Sequence, residues 1–440
     1  MEQRAVARRM QVFIIIWLGQ LVSLVGSGLT SFALGVWVYQ RTGSVTDFSL
    51  ISLFTTLPLV LASPVAGAFV DRWDRRKTMF YSDLGAGLST ITIAWFLFFG
   101  QLELWHIYLA TAVSSICKAF QWPAYTAAST TLVPKEHLHR VGGLAQMGQS
   151  VAELVSPVLA GILVVTIQIQ GVLLLDFCTF SFALITLLLV KFPKHKITTA
   201  DSIEKFSLLR NISYGWNYIT ARPGLLGLQM FFAATNFLQG VVEVLATPLI
   251  LSFVSPAVAG IMLSIGGSGM LFGSVVMSIW RGPKRRINSV FGFLLLNGLS
   301  MIVAGLRASS ALFTLAVFLF CYGLPIINGS NQLILQQKVP LDLQGRVFAL
   351  SKMISGVSFP VAYLVAGPLA DFVFEPLMAV NGPLAGSIGQ VIGIGKGRGI
   401  GLLFIVMGTL TMMATVVAYQ YPRLRRVEDE LPDIQLFSGK

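Results

Sequence analysis

Apolar residues in this chain come in long unbroken runs, and polar positions are confined to the short segments between them. Six such runs fall near residues 12–39, 47–70, 78–100, 104–129, 142–166 and 171–190. Six more fall near 225–252, 256–280, 288–306, 310–334, 347–373 and 399–420. A hydrocarbon core about 30 Å thick takes roughly 20 apolar helical residues to cross. In lipid every backbone polar group must be satisfied within the protein, which leaves only helices and closed barrels. These runs are too long to be the alternating strands of a barrel, which span about ten residues each. The pattern predicts an all-α integral membrane protein with twelve spans and both termini on one side. The first run, Phe13 to Val38, exceeds the apolar stretch of a signal peptide and reads as span one.

Composition agrees with the pattern. Charged residues make up 11% of the chain and hydrophobic ones 55%, whereas a soluble protein carries roughly 25% charge. The net charge of +12 does not point to nucleic acid, since no polar helix carries a basic stripe interleaved with aromatics. Lys and Arg gather between the spans instead. With the N-terminus inside, inner segments hold 25 of them and outer segments four, namely Arg41, Arg307, Lys396 and Arg398. That asymmetry predicts a bacterial cytoplasmic (inner) membrane protein with cytoplasmic termini. Cys117, Cys178 and Cys321 sit singly in apolar runs and read as small buried hydrophobes.

The chain divides between spans six and seven. The expected organisation is a bundle over 1–190, a cytoplasmic linker over 191–224, a second bundle over 225–420 and a cytoplasmic tail over 421–440. In the linker Ile203, Phe206, Leu209, Ile212, Trp216 and Ile219 recur at spacings of three and four, with Lys205 and Arg210 off the stripe. This predicts an amphipathic helix, either on the lipid surface or as a soluble linker. The two halves also repeat. Arg72-x-x-Arg75-Arg76-Lys77 returns as Arg281-x-x-Lys284-Arg285-Arg286 at an offset of 209. Val133-Pro134 with Arg140-Val141 returns as Val339-Pro340 with Arg346-Val347 at an offset of 206. Duplicated six-span halves flanking a central path are the architecture of a transporter.

The stretch Gly67-Ala-Phe-Val-Asp71-Arg72-Trp-Asp-Arg75-Arg76-Lys77 resembles the signature loop of the major facilitator superfamily, with Asp74 where that pattern has glycine. In span five Gly143, Ala152, Ser156, Pro157, Ala160 and Gly161 match the spacing of the antiporter motif of drug exporters, with small residues replacing glycine at three positions. The stretches Pro123–Gly161 and Gln344–Asp371 look most like the macrolide-efflux branch of the drug:proton antiporters. The resemblance implies export by alternating access, driven by protons. It also implies a clasp in which Asp71 meets nearby arginines and the start of span eleven near Arg346. Asp83, two turns into span three, is expected to hold an arginine of the same loop. An Asp71 carboxylate at a helix end suits such contacts, although Arg75 to Lys77 also fit a purely topological role. Trp280 stands at the position matching Asp71, so the clasp is asymmetric.

Charges inside spans are costly, and each is a candidate site. Lys118 and Glu153 lie midway through spans four and five. Two readings stay open. They form a structural salt bridge, or Glu153 is the titrating carboxylate with its proton affinity set by Lys118. Lys118-x-x-Gln121 resembles the Arg-x-x-Gln of proton-driven exporters, with Trp122 where glycine is usual. Asn236, Gln239 and Glu243 share one face of span seven, and Gln20, Ser23, Ser27 and Thr30 share one face of span one. Both stripes suit cavity walls, and the span-one stripe equally suits interhelical hydrogen bonds. Glu243 is a second candidate for proton or cation binding. Asp176 and Asp371 are expected to be solvated near the outer surface, and Lys352 to snorkel or pair locally.

Gly393-Ile-Gly395-Lys396-Gly397 fails as a phosphate loop, because Gln390 and Gly397 replace required residues. Residues 375–398 read as a flexible outer loop. No metal cluster, cofactor motif or intramembrane catalytic dyad is expected. The expected partners are a small-molecule substrate, protons and the lipid bilayer, with the chain acting as a monomer. Export of antibiotic-, peptide- or siderophore-like amphipaths leads. Lipid translocation or uptake by the same fold follows, and a membrane enzyme or sensor comes last.

Overall fold

Each apolar run becomes one helix in the computed structural model, which describes residues 2–70, 73–133, 138–190, 208–280, 282–283 and 285–430. The first six are α1 (Glu2–Thr42), α2 (Val45–Val70), α3 (Arg75–Phe98), α4 (Leu104–Leu132), α5 (Leu138–Thr166) and α6 (Gln168–Leu189). After α7 (Leu208–Thr220) come α8 (Pro223–Leu251), α9 (Pro256–Ile279), α10 (Arg286–Leu306), α11 (Ser310–Lys338) and α12 (Leu341–Pro368). Short α13 (Glu375–Leu377) and α14 (Gly389–Ile392) precede the last long helix, α15 (Arg398–Gln420). Two single turns follow, α16 (Pro422–Arg425) and α17 (Val427–Glu430). Among the described residues ten helices are long and apolar enough to cross a membrane by length and composition. The two remaining long helices, α3 and α4, carry Asp83, Lys118 and Gln121. Their lower hydropathy is therefore a property of the polar positions they present.

The chain forms two compact units, Met1–Ala200 with Val254–Ser264, and Asp201–Phe253 with Ile265–Lys440. In the first unit α1 packs on α5 and α6, while α4 packs on α2 and α3. Gly87 on α3 lets the Phe180 ring of α6 lie where a Cβ would stand. In the second unit Gly298 and Gly305 of α10 meet Gly408 and Gly401 of α15 backbone to backbone. Small residues two turns apart on both helices let their axes close up, the usual device for helix association in lipid.

Three segments outside the long helices are ordered by packing. Ile203 and Phe206 of the linker stripe lie outside the described residues. Ile219 turns into the second unit's core, while Trp216 and Tyr214 are exposed and the Arg346 guanidinium stands 5.4 Å from the Tyr214 ring. The 375–398 segment, expected to be a flexible outer loop, is a folded cap on the end of α15. Met378 and Ile392 form a small core with Leu402, and the Glu375 carboxylate accepts the Gly397 and Ile400 N–H groups at 3.1 Å each. That carboxylate satisfies orphan donors at the start of α15 and complements its dipole. Arg398, expected in an outer segment, is buried and donates to the Ile392 carbonyl at 3.3 Å. The tail begins as structure too. Leu424 and Val427 join the second unit's core, the Lys338 ammonium donates to the Glu428 carbonyl, and the Glu428 carboxylate accepts the Ile287 N–H at 3.0 Å.

Candidate functional site

Polar side chains at helical spacing converge inside the first unit. Gln20, Ser23 and Ser27 come from α1, Asp83 and Thr90 from α3, and Lys118 and Gln121 from α4. Gln149, Ala152, Glu153, Ser156 and Pro157 come from α5, and Asp176 from α6. Together they line a cavity of about 890 Å³. Trp17, Phe32, Trp122, Phe177 and Phe180 complete its wall. A chamber of this size, apolar with a few fixed polar groups, has the character of a small-molecule site.

Two buried carboxylates organise the polar side. Asp83, 3% exposed, accepts Gln20 Nε2 at 3.0 Å on one oxygen and Gln121 Nε2 on the other. Gln121 Nε2 also donates to Gln20 Oε1 at 2.6 Å, so three helices share one closed network. Asp176, 4% exposed, accepts Thr30 Oγ1 at 2.8 Å and Thr90 Oγ1 at 3.2 Å. Beside it a side chamber of about 60 Å³ is lined by hydroxyls, among them Ser27, Thr55, Ser89, Thr111 and Ser115. Lys118 borders both spaces.

This arrangement corrects three expectations. Among the described residues Asp83 holds no arginine: Arg75 donates to the Ala127 carbonyl at 2.8 Å, and Arg76 to the Leu187 and Leu188 carbonyls at 3.0 and 2.8 Å. Those guanidiniums tie the start of α3 to α4 and α6, and Asp83 belongs to the cavity. Lys118 and Glu153, both described, form no ion pair with each other. Lys118 shares the wall of the side chamber with Asp176, while Glu153 is open to the cavity and accepts Gln149 Nε2 at 3.2 Å. Asp176 is not solvated but enclosed, with partners on α1 and α3.

The other candidates sit as follows. Asp71 and Arg72 lie outside the described residues, Gly67 is half-buried near the end of α2, and Arg346 is exposed in the second unit. In α5 Gly143 is exposed, Ala152, Ala160 and Gly161 are buried, and Ser156 donates to the Val25 carbonyl at 3.2 Å opposite Gly28. Pro157 and Gly161 meet the 256–260 stretch of the same unit at backbone contact. Asn236, Gln239 and Glu243 belong to the second unit and do not line this cavity. Glu243 is exposed and receives the Tyr363 hydroxyl at 3.5 Å.

Comparison with known proteins agrees with this geometry. The family model described as Major Facilitator Superfamily matches residues 16–363. Macrolide efflux protein A of Streptococcus pyogenes is 28% identical over 367 residues, covering 82% of this chain and 89% of that protein. Multidrug efflux pump Tap of Mycolicibacterium fortuitum is 26% identical over 432 residues, covering 94% and 97% respectively. A crystal structure of a bacterial homologue of the human lysosomal transporter Spinster shares the fold, with a TM-score of 0.70 at 13% identity over 94% of this chain and 97% of that one.

Proposed function

The chain belongs to the major facilitator superfamily, and on that premise we propose that it exports amphipathic small molecules by alternating access, with proton entry driving the cycle. It is a multi-pass membrane transporter; direction, substrate and coupling are the proposal. The cavity of about 890 Å³ carries it, because aromatic walls suit an amphipath, the open carboxylate of Glu153 suits a cationic group, and the enclosed carboxylates of Asp83 and Asp176 suit a proton. The efflux names of relatives spanning most of the chain support the outward direction. Compounds with the character of macrolides, peptides or siderophores fit that description. The 25-to-4 charge asymmetry supports a bacterial cytoplasmic membrane and cytoplasmic termini.

In this reading bundles 1–190 and 225–420 rock about the substrate path, joined by the 191–224 linker, and a single chain suffices. Asp71 with Arg75, Arg76 and the helix start near Arg346 closes the inner side. The small residues of α5, Gly143 to Gly161, permit close helix approach. Glu153, open to the cavity, is the carboxylate for which proton and substrate compete, and Glu243 is the reserve candidate.

The test is a drug panel in an efflux-deficient bacterium, followed by transport in everted vesicles. Expression should raise tolerance to at least one amphipathic compound, and collapsing the proton gradient should abolish its accumulation. Unchanged sensitivity across the panel with no energised uptake into vesicles would refute export. Lipid scrambling in its place would establish the translocation reading.

A further inference from the structure

A buried carboxylate without a cation is costly unless a proton neutralises it or donors surround it. Among the described residues Asp83 is such a group. Its hydrogen-bond partners on the neighbouring helices are neutral amides, Gln20 on α1 and Gln121 on α4. Ionisable groups that face it are few. From α4 come the Cys117 thiol, which lies against Gly85 two residues along α3, and Lys118, which borders the same cavity. From α6 comes Asp176, occupied by Thr30 and Thr90, and Glu153 stands on the α5 wall. Helix α1 has no ionisable side chain between Met10 and Val38.

The internal duplication supplies an independent observation. At the offset of 209 Gln20 corresponds to Gln229, a glutamine again, but Asp83 corresponds to Gly292. Gln229 is buried, its Oε1 accepts Ser351 at 2.8 Å, and its Nε2 has no partner among the described residues. The second half thus keeps the amide and lacks the acid. An amide donor that lands on a carboxylate in one half and on nothing in the other marks the carboxylate as an addition to the scaffold.

We propose that Asp83, gripped by Gln20 and Gln121, is a proton switch that couples proton entry to the packing of α1, α3 and α4. The assignment rests on the proton-driven reading above and adds a site to it. Ionised, the carboxylate only accepts, and the observed network of three N–H···O bonds is complete. A proton from cavity water adds to a carboxylate oxygen and makes it a donor, so one acceptor site is lost and one new acceptor is needed. Gln20 Oε1, which now receives Gln121, has a second lone pair that can take the carboxyl proton. The protonated oxygen is a poorer acceptor for the Gln121 N–H, so the hold of α4 on α3 loosens. Loss of the proton to water restores the grip.

The test uses the full chain in proteoliposomes with erythromycin or ethidium, whichever the wild type moves faster. Asp83→Asn should abolish uphill, pH-driven transport while substrate counterflow, which needs no net proton movement, persists. Asp83→Glu should recover part of the coupled rate. Gln20→Leu removes one donor to the charged form and should move the pH of half-maximal coupled transport upward by about one unit. Wild-type coupled transport by Asp83→Asn overturns the assignment alone. Loss of counterflow together with coupling, in protein that melts like wild type, overturns it in favour of a substrate contact. Should Asp83→Asn not fold, an unshifted pH profile in Gln20→Leu overturns it. Wild-type transport indifferent to the gradient overturns the proton-driven reading itself.

Discussion

Replacing Asp176 tests whether charge holds the hydroxyl-lined end of the cavity together. Its carboxylate accepts Thr30 at 2.8 Å and Thr90 at 3.2 Å and shares the wall of the side chamber with Lys118. Asp176→Ala deletes both acceptors and leaves Lys118 without the acid that offsets it. Hydrogen bonds to a charged group contribute about 1.5–3 kcal/mol each and do not add within one network. Stranding a buried charge costs about 3–5 kcal/mol when its pair was in direct contact. Lys118 is only half-buried and forms no ion pair with Asp176, so that cost does not apply in full and the expected loss is that of the hydrogen bonds, about 2–3 kcal/mol. The assay is thermal unfolding of purified protein in detergent, followed by tryptophan fluorescence. Asp176→Ala should melt below wild type, and adding Lys118→Met should raise the melting temperature again, because the second change removes the charge that Asp176 offsets. Asp176→Ala melting with wild type, or no rescue by Lys118→Met, would refute the electrostatic account and leave Asp176 as a polar packing residue.

At the outer end, Glu375→Ala should cost about 1–2 kcal/mol, the worth of a helix N-cap, and open the 378–397 cap to proteolysis before the rest of the chain; an unchanged digestion pattern counts against the cap. At the inner end, Leu424→Ala should cost about 2–5 kcal/mol because Leu424 is 2% exposed in the core. Arg285→Ala should cost less than about 1 kcal/mol, since its 2.9 Å bridge to Asp429 is nearly half exposed on both sides. Melting curves that reverse that order would show the tail to be held by charge.

The spans were legible because crossing lipid imposes a length on each apolar run, and every predicted run lies on one long helix. The faces were legible too, since 20, 23 and 27 on α1 share a side at helical spacing and all three reach the cavity. Partner choice was not. Asp83 meets residues 63 and 38 positions away, and Asp176 meets residues 146 and 86 positions away. No local pattern records such distances. Pairing Lys118 with Glu153 assumed that consecutive helices at equal depth are neighbours, yet α4 packs on α2 and α3 while α5 packs on α1. Asp176 looked solvated because it lies near the outer end of its run; two turns into α6 proved deep enough for hydroxyls of α1 and α3 to close over it. In the 378–397 segment glycine content suggested mobility. The three glycines with φ of 94°, 100° and 82° serve instead as the turns of a folded cap.

The halves are unequal where the chemistry would lie. Asp71 and Asp83 have Trp280 and Gly292 at the matching positions, so each acid occurs once although the scaffold occurs twice. On the proposed coupling this has a thermodynamic consequence. A proton biases a conformational equilibrium only by its difference in affinity between the two states. One carboxylate that loads on one side and unloads on the other yields about 1.4 kcal/mol per unit of pH difference, and about 2.3 kcal/mol per 100 mV if it crosses the full potential. A second switch at the same depth in the other half would have to load in step with the first, or it would hold the halves in opposed states. Keeping the glutamine and omitting the acid avoids that conflict while preserving helix packing. The unpartnered Nε2 of Gln229 is then the residue of the duplication, tolerated where the second half needs shape and not charge.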